Sequence, residues 1–294
     1  MWIPITLLAA AFQTSRTAMQ QKLRALLSVS GAGFVRYVYG APISVAAVVI
    51  ALAAGVDMPH IHARFWPIIA GAGVAQILGT IFLIRAFDAR DYAIGTVYSK
   101  TEVVQVAIFS AVFLGEGLHP IGWIGIAICM VGIVLLVSKG KRIRLSSFRD
   151  RAGLDGLLAG GLFGLAAVGI RAASKALTDS PSEMRAIVSL AVMNTIQTVV
   201  HGGYLVARER EQIGLALRHW RSSSVVGVLS VCGSACWAIA FTLQNAAKVR
   251  TFGQIELLFT FMVARVFLHE RHSRHEIAAS GLVLAGIFGV MIFG

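Results

Sequence analysis

Apolar residues run along this chain in long blocks rather than in alternation. Tyr37–Val56, Phe65–Ile84, Ala186–Ala207 and Ser222–Ala247 contain no Asp, Glu, Lys or Arg, and Ile121–Ser138 and Ile277–Gly294 are shorter runs of the same kind. A helix of about 20 apolar residues matches the ~30 Å hydrocarbon layer of a bilayer, where a helix satisfies its own backbone hydrogen bonds. Read against the polar turns between the blocks, the pattern predicts ten spans. They cover residues 3–26, 33–55, 66–87, 94–114, 121–138, 153–177, 184–206, 222–243, 250–268 and 276–293. The longest connections, Lys139–Ala152 and Ala207–Arg221, leave little room for a soluble domain. The expected fold class is therefore an all-α membrane protein of ten transmembrane helices.

Composition excludes the soluble alternative. Hydrophobic residues make up 57% of the 294 and charged residues 14%, against about 25% charged in a typical soluble domain. A net charge of +12 would suit a nucleic-acid partner, but its placement in short turns points to membrane orientation instead. Lys139, Lys141, Arg142, Arg144, Arg149 and Arg151 follow the fifth span, and Arg208, Arg210, Arg218 and Arg221 follow the seventh. Lys22, Arg24, Arg90, Arg271 and Arg274 fall on the same side, opposed by Arg64, Lys248 and Arg250. Cytoplasmic loops are the Lys/Arg-rich ones, so the basic loops are expected in the cytoplasm of a bacterial inner (plasma) membrane, with both termini outside. The opening Met1-Trp2-Ile3-Pro4 lacks the basic stretch of a cleaved export signal, and the first apolar run is expected to stay as a span. The expected partners are the lipid bilayer and a small-molecule substrate, with no nucleic acid.

An internal repeat then becomes visible. A shift of 154 residues places Glu102 on Glu256, Ala86-Phe87 on Ala240-Phe241, Val112-Phe113-Leu114 on Val266-Phe267-Leu268, Glu116 on Glu270 and Gly132-Ile133 on Gly286-Ile287. With Gly79/Gly233 and Ala93/Ala247 this makes eleven identities between residues 79 and 133, and a shift of 155 brings Arg16 onto Arg171. Shared apolar composition does not align embedded glutamates and arginines. Five spans per copy is an odd number, so the copies cross the membrane with opposite polarity, an inverted repeat of the kind on which many secondary transporters are built. The division expected is a first five-helix repeat over 1–138, a basic cytoplasmic loop over 139–152, and a second five-helix repeat over 153–294.

The stretch Phe113-Leu114-Gly115-Glu116, with Gly125, Gly132 and Ile133-Val134-Leu135-Leu136 after it, resembles the EamA half-domain, and Phe267-Leu268-His269-Glu270, Gly286 and Ile287 resemble its second copy. Over almost its whole length the chain is thus similar to EamA-type members of the drug/metabolite transporter (DMT) superfamily. The resemblance implies a ten-helix exporter or facilitator of small metabolites, often amino acids or related solutes. Many such half-domains carry a proline early in the fourth helix; here Thr101-Glu102 and Ile255-Glu256 stand near that point.

Ionisable groups within spans are costly and face a cavity or a partner. On the first span Gln13, Arg16 and Gln20 form one polar stripe at i, i+3, i+7 spacing. The sixth span repeats it with Arg171, Ser174 and Lys175, the fourth brings Tyr98, Lys100, Glu102 and Gln105, and the ninth brings Glu256. Gln76 and Thr80 share a face of the third span, with Trp237 as an aromatic wall. Gln13, Arg16, Gln20, Gln76, Tyr98, Lys100, Glu102, Arg171, Lys175, Trp237 and Glu256 are the expected substrate pathway, and Arg16 or Arg171 is expected to pair with Glu102 or Glu256. Arg36 and Arg185, near span starts, are expected to snorkel. Asn194, Gln197 and His201 form a stripe that suits either pathway donors or interhelical hydrogen bonds. Gly156, Gly160 and Gly164 predict a close helix contact, and Glu116 and Glu270 predict corners.

Enzyme chemistry is not expected, and no catalytic residue is assigned. Seven of the eight histidines fall in loops, His201 stands alone in its span, and Cys129, Cys232 and Cys236 lie within spans without further ligands. No metal or cofactor is assigned, and no phosphate-binding glycine loop is present to drive primary transport. A mixed Arg, Lys and Glu lining suits amino acids or related zwitterionic and anionic solutes, moved by alternating access between the repeats. The alternatives are an organic-cation or drug exporter and a flippase for lipid-linked substrates. One chain is sufficient for a pathway, and a dimer is compatible with it.

Overall fold

The computed structural model of the chain describes residues 1–88, 92–138, 150–259 and 274–294. Among the described residues the fold is all-α apart from one two-residue ladder. It resolves into two compact units that are each built from two separate stretches of the sequence: Met1–Ile81 with Ala166–Gln244, and Phe82–Leu165 with Asn245–Gly294.

The first unit holds α1 (Trp2–Leu23), α2 (Val29–Ala53), most of α3 (Phe65–Asp88), the end of α7 (Arg151–Lys175), α8 (Ser182–Arg208), α9 (Arg210–Arg218) and α10 (Trp220–Leu243). Small residues bring its helices close. A Cβ added at Gly233 of α10 would lie 3.2 Å from Phe12 on α1, and one at Gly227 would lie 2.3 Å from Tyr39 on α2. Leu23, Leu27, Ala32, Val35, Ala216 and Val226 form the apolar cluster where α1, α2, α9 and α10 meet. Ser28 caps α2 by accepting from Gly31 N at 3.1 Å. The Ser28 hydroxyl donates to the Glu209 carboxylate, and its N–H donates to Gln212 Oε1 at 2.8 Å. The turns after α1 and α8, both rich in Lys and Arg, therefore share one face. At the other end of α2, β1 (His60–Ile61) pairs antiparallel with β2 (Leu177–Thr178), tying the connection after α2 to the one after α7. The segment between the seventh and eighth spans is more than the connection the sequence suggested. It contains α9, which buries Gln212 and Ala216 and exposes Leu217.

The second unit contains the end of α3, α4 (Tyr92–Lys100), α5 (Glu102–Leu114), α6 (Pro120–Ser138), the start of α7, α11 (Ala246–Gly253), the described part of α12 (residues 255–259) and α13 (Arg274–Phe293). Its tightest contact joins α6 and α13. Added Cβ atoms at Gly125, Gly132 and Gly286 would lie 2.8 Å from Val290 N, 2.6 Å from Val283 N and 2.4 Å from Cys129 N. As α6 advances its neighbours on α13 recede, so the two helices pack antiparallel. The glycine ridge of α7 meets α4 and α5: a Cβ at Gly156 would lie 2.6 Å from Gly95 O, and one at Gly160 would lie 2.9 Å from Ser99 O. Gly115 ends α5 in the left-handed region (φ 67°), letting Glu116 N reach back to Ser110 O.

Two helices that read as continuous in the sequence are tightened partway. At Thr101, between α4 and α5, Thr101 N bonds Tyr98 O and Val104 N bonds Thr101 O. At Gln254, between α11 and α12, Gln254 N bonds Thr251 O and Leu257 N bonds Gln254 O. These i→i−3 bonds mark a local 3₁₀ turn within a helix. The Thr101 hydroxyl, bonded to Tyr98 O at 2.5 Å and receiving Gln105 Nε2 at 2.8 Å, favours the turn in place of a proline.

Among the described residues, eight candidate spans are long and apolar enough to cross a membrane, with residues 94–114 counted as one. Val49, Ile50, Val112, Phe113, Val199 and Ile292 expose more than half of their surface, as lipid-facing residues do. The first predicted span corresponds to α1, which is helical but too polar around Gln13, Arg16 and Gln20 to be among the eight. Residues 260–268 of the ninth, and with them Phe267, Leu268 and Arg265, lie outside the described residues, as do Arg90, the loop 139–149 and His269, Glu270, Arg271 and His272.

Candidate functional site

The interruptions of the two helices create internal ends, and the charged residues sit where those ends favour them. Lys100 closes α4 and Arg250 lies in the last turn of α11, next to helix carbonyls, while Glu102 opens α5 and Glu256 opens α12, next to helix N–H groups. The pairs then cross between the helices. Lys100 Nζ pairs with Glu256, and Arg250 Nε stands 2.9 Å from Glu102 Oε1. All four side chains are between 11% and 16% exposed. Two cations and two anions make the quartet neutral, which is what lets charge persist at this depth. Gly160 of α7 closes over it, since a Cβ there would lie 3.1 Å from Glu102 N. Tyr98 stands at the same level, with its carbonyl accepting the Thr101 hydroxyl.

Glu102 is thus partnered by Arg250 of its own unit, which was not among the expected partners Arg16 and Arg171. In the sequence Arg250 reads as a loop charge because it lies beside Lys248 in a short polar stretch. The structure places it a turn inside α11, which starts after the Asn245 cap (Ala247 N to Asn245 Oδ1, 2.7 Å).

In the first unit the expected pathway residues fall into separate contacts. Gln13 Oε1 accepts the indole N–H of Trp237 at 3.0 Å, and Trp237 stacks on Phe241 with ring centroids 5.6 Å apart. Trp237 therefore joins α10 to α1. Gln20 is buried and donates to Ala32 O at 2.9 Å, bracing α1 on α2. Arg16 is half-buried and reaches Thr17 Oγ1 at 3.4 Å. Arg171 donates to Phe241 O and Gln244 O, both at 2.6 Å, and so caps the last carbonyls of α10. Lys175 is exposed in the last turn of α7. Gln76 accepts from Gln197 Nε2 at 2.9 Å, and Gln197 also donates to Gly73 O at 3.0 Å.

Arg36 does not snorkel. It is 5% exposed and donates to Thr80 Oγ1 of α3 at 2.7 Å, while further along α2 Ser44 Oγ accepts from Asn194 Nδ2 of α8 at 3.3 Å. Among the described residues no cluster of three His, Cys, Asp or Glu side chains has the arrangement of a metal site.

Known proteins share this architecture and sequence. A solved crystal structure superposes with a TM-score of 0.73, covering 99% of this chain and 97% of the other at 14% identity, a likeness of fold alone. An uncharacterized transporter from a Sinorhizobium species, encoded in a cobO 3′ region, is 34% identical over 92 residues. That match covers 31% of this chain and 65% of the relative's own length. The EamA-like transporter family model matches residues 1–138 and again 154–292. Two family matches that together take in nearly all of an apolar, helical chain settle its affiliation: it belongs to the EamA-like transporter family of the DMT superfamily.

Proposed function

We propose that this transporter moves amino acids or related zwitterionic and anionic solutes by alternating access between two inverted five-helix repeats. The observation that carries the reading is the crossed quartet of Lys100, Glu102, Arg250 and Glu256 at two tightened helices. A zwitterion brings one carboxylate and one ammonium, and it exchanges for the internal partners without leaving net charge in the membrane. Discontinuous helices whose ends address charged substrate groups are a recurring transporter device, and a 3₁₀ turn within a helix is a natural hinge. The reciprocal packing of Gly132 with Val283 and of Gly286 with Cys129 supports the inverted repeat, because the 154-residue shift carries Gly132 to Gly286 and Cys129 to Val283. The reading includes ten spans in a bacterial inner membrane, with the basic turns cytoplasmic and the termini outside, and a pathway that one chain completes.

The test is counterflow of a labelled amino-acid panel in proteoliposomes, wild type beside Glu102→Gln, at two pH values. Saturable wild-type transport that disappears in a normally inserted Glu102→Gln protein is expected. A pH-gradient effect would indicate proton coupling. Full activity in Glu102→Gln would remove the quartet from the mechanism, and a wild type inert to every amino acid would overturn the substrate class.

A further inference from the structure

We propose that Arg36, with Thr80, Tyr37 and His201 around it, forms a binding site for a small monocarboxylate inside the first unit. Arg36 lies seven residues into α2, about 10 Å along the helix axis. Its Nη1 donates to Thr80 Oγ1, and its guanidinium carbon stands 5.5 Å from the Tyr37 ring centroid. The Tyr37 hydroxyl is 3.4 Å from the same Thr80 oxygen. Arg36 Nε is buried without an acceptor, and no carboxylate of the described residues neutralises the guanidinium.

His201 approaches from α8. It is 2% exposed, its ring lies 6.0 Å from Tyr37 and 5.9 Å from Phe34, and neither ring nitrogen has a hydrogen-bond partner. Gln197 Oε1, one turn along α8, is buried and unbonded as well. Gly33 lets His201 and Thr80 approach α2 closely: a Cβ there would come 3.2 Å from His201 Cε1 and 3.8 Å from Thr80 Cγ2.

A buried cation met, among the described residues, only by a hydroxyl and an aromatic face is incompletely compensated, and unbonded donors at this depth are rare in native proteins. An anion completes the set. The Nε edge of the guanidinium presents parallel donors that match a planar carboxylate, and an imidazole N–H adds a further donor. One formal positive charge specifies a monoanion. The site does not depend on the charge quartet of the second unit.

The test is ligand-dependent thermal stabilisation of the purified full chain in nanodiscs, using acetate and isovalerate, their isosteric amides acetamide and isovaleramide, and inorganic phosphate. In the wild type a carboxylate is expected to bind at least about tenfold more tightly than its amide, the worth of a charge-assisted bond. Arg36→Lys should retain part of that preference and Arg36→Gln should lose it. Equal effects of acid and amide on the wild type, phosphate outcompeting the carboxylates, or an undiminished preference in Arg36→Gln would each overturn the proposal. Should Arg36→Gln not fold, Gly33→Ala keeps the charge and narrows the space. Weakened carboxylate binding there supports the site, and unchanged binding refutes it. Failure of amino-acid counterflow with an intact Arg36-dependent preference would refute only the substrate reading.

Discussion

In the second unit each cation of the quartet faces a glutamate of the same unit, whereas in the first unit Arg36 meets a hydroxyl and the face of a tyrosine. The first arrangement is charge-balanced without a ligand, and a charged solute acts on it by exchange. The second arrangement is incomplete, and a ligand acts on it by addition. The difference shows that burying charge in a membrane protein has two solutions that respond differently to mutation. A neutral quartet is sensitive to the sign of its members, and a lone guanidinium is sensitive to the neutral groups that hold it.

The strongest way to break this comparison is Glu256→Lys, which places a third cation beside Lys100 and Arg250. Removing a buried charge's partner costs about 3–5 kcal/mol, so the variant should fail to accumulate or melt far below the wild type. The exchange Lys100→Glu with Glu256→Lys should recover most of that loss by thermal unfolding in detergent; no recovery would mean that the quartet is not held by pairing. A smaller effect is expected for Thr80→Val. Leaving the Arg36 donor unmet costs about 1–3 kcal/mol, and the carboxylate preference should fall with it. The smallest is Trp237→Phe, which keeps the stack on Phe241 and removes the bond to Gln13. Interhelical hydrogen bonds of this kind average about 0.6 kcal/mol, so a shift near the limit of a thermal melt is expected, and a loss of several kcal/mol would show that the indole contributes more than this bond.

The helices were legible because a bilayer imposes its thickness on the sequence, and Glu102 and Glu256 were legible because the 154-residue repeat places one on the other. Their partners were not. A charge at the edge of an apolar run reads equally as a loop residue or as an inward-facing one, and long basic side chains reach either way. For Arg250 the signal was Asn245, a cap residue that moves the helix start back and carries the arginine a turn inside. For Arg36 it was Gly33, three residues back on its helix face, and the adjacent Tyr37, a small residue and an aromatic where a solvent-seeking side chain needs neither. The tightened turns at Thr101 and Gln254 left no composition signal, since threonine and glutamine are ordinary helix residues and neither turn uses a proline.

The antiparallel contact of α6 with α13 has a consequence for how the chain is made. Gly132 must wait for Val283, 151 residues later in translation, which at about 5–20 residues per second is roughly 8–30 s. During that interval α6 sits in the bilayer with its glycine face against lipid or provisional neighbours. Assembly of the second unit is therefore gated by insertion of the α13 segment, and a ribosome that stalls before it leaves a half-built protein whose exposed seam is a ready substrate for membrane quality control.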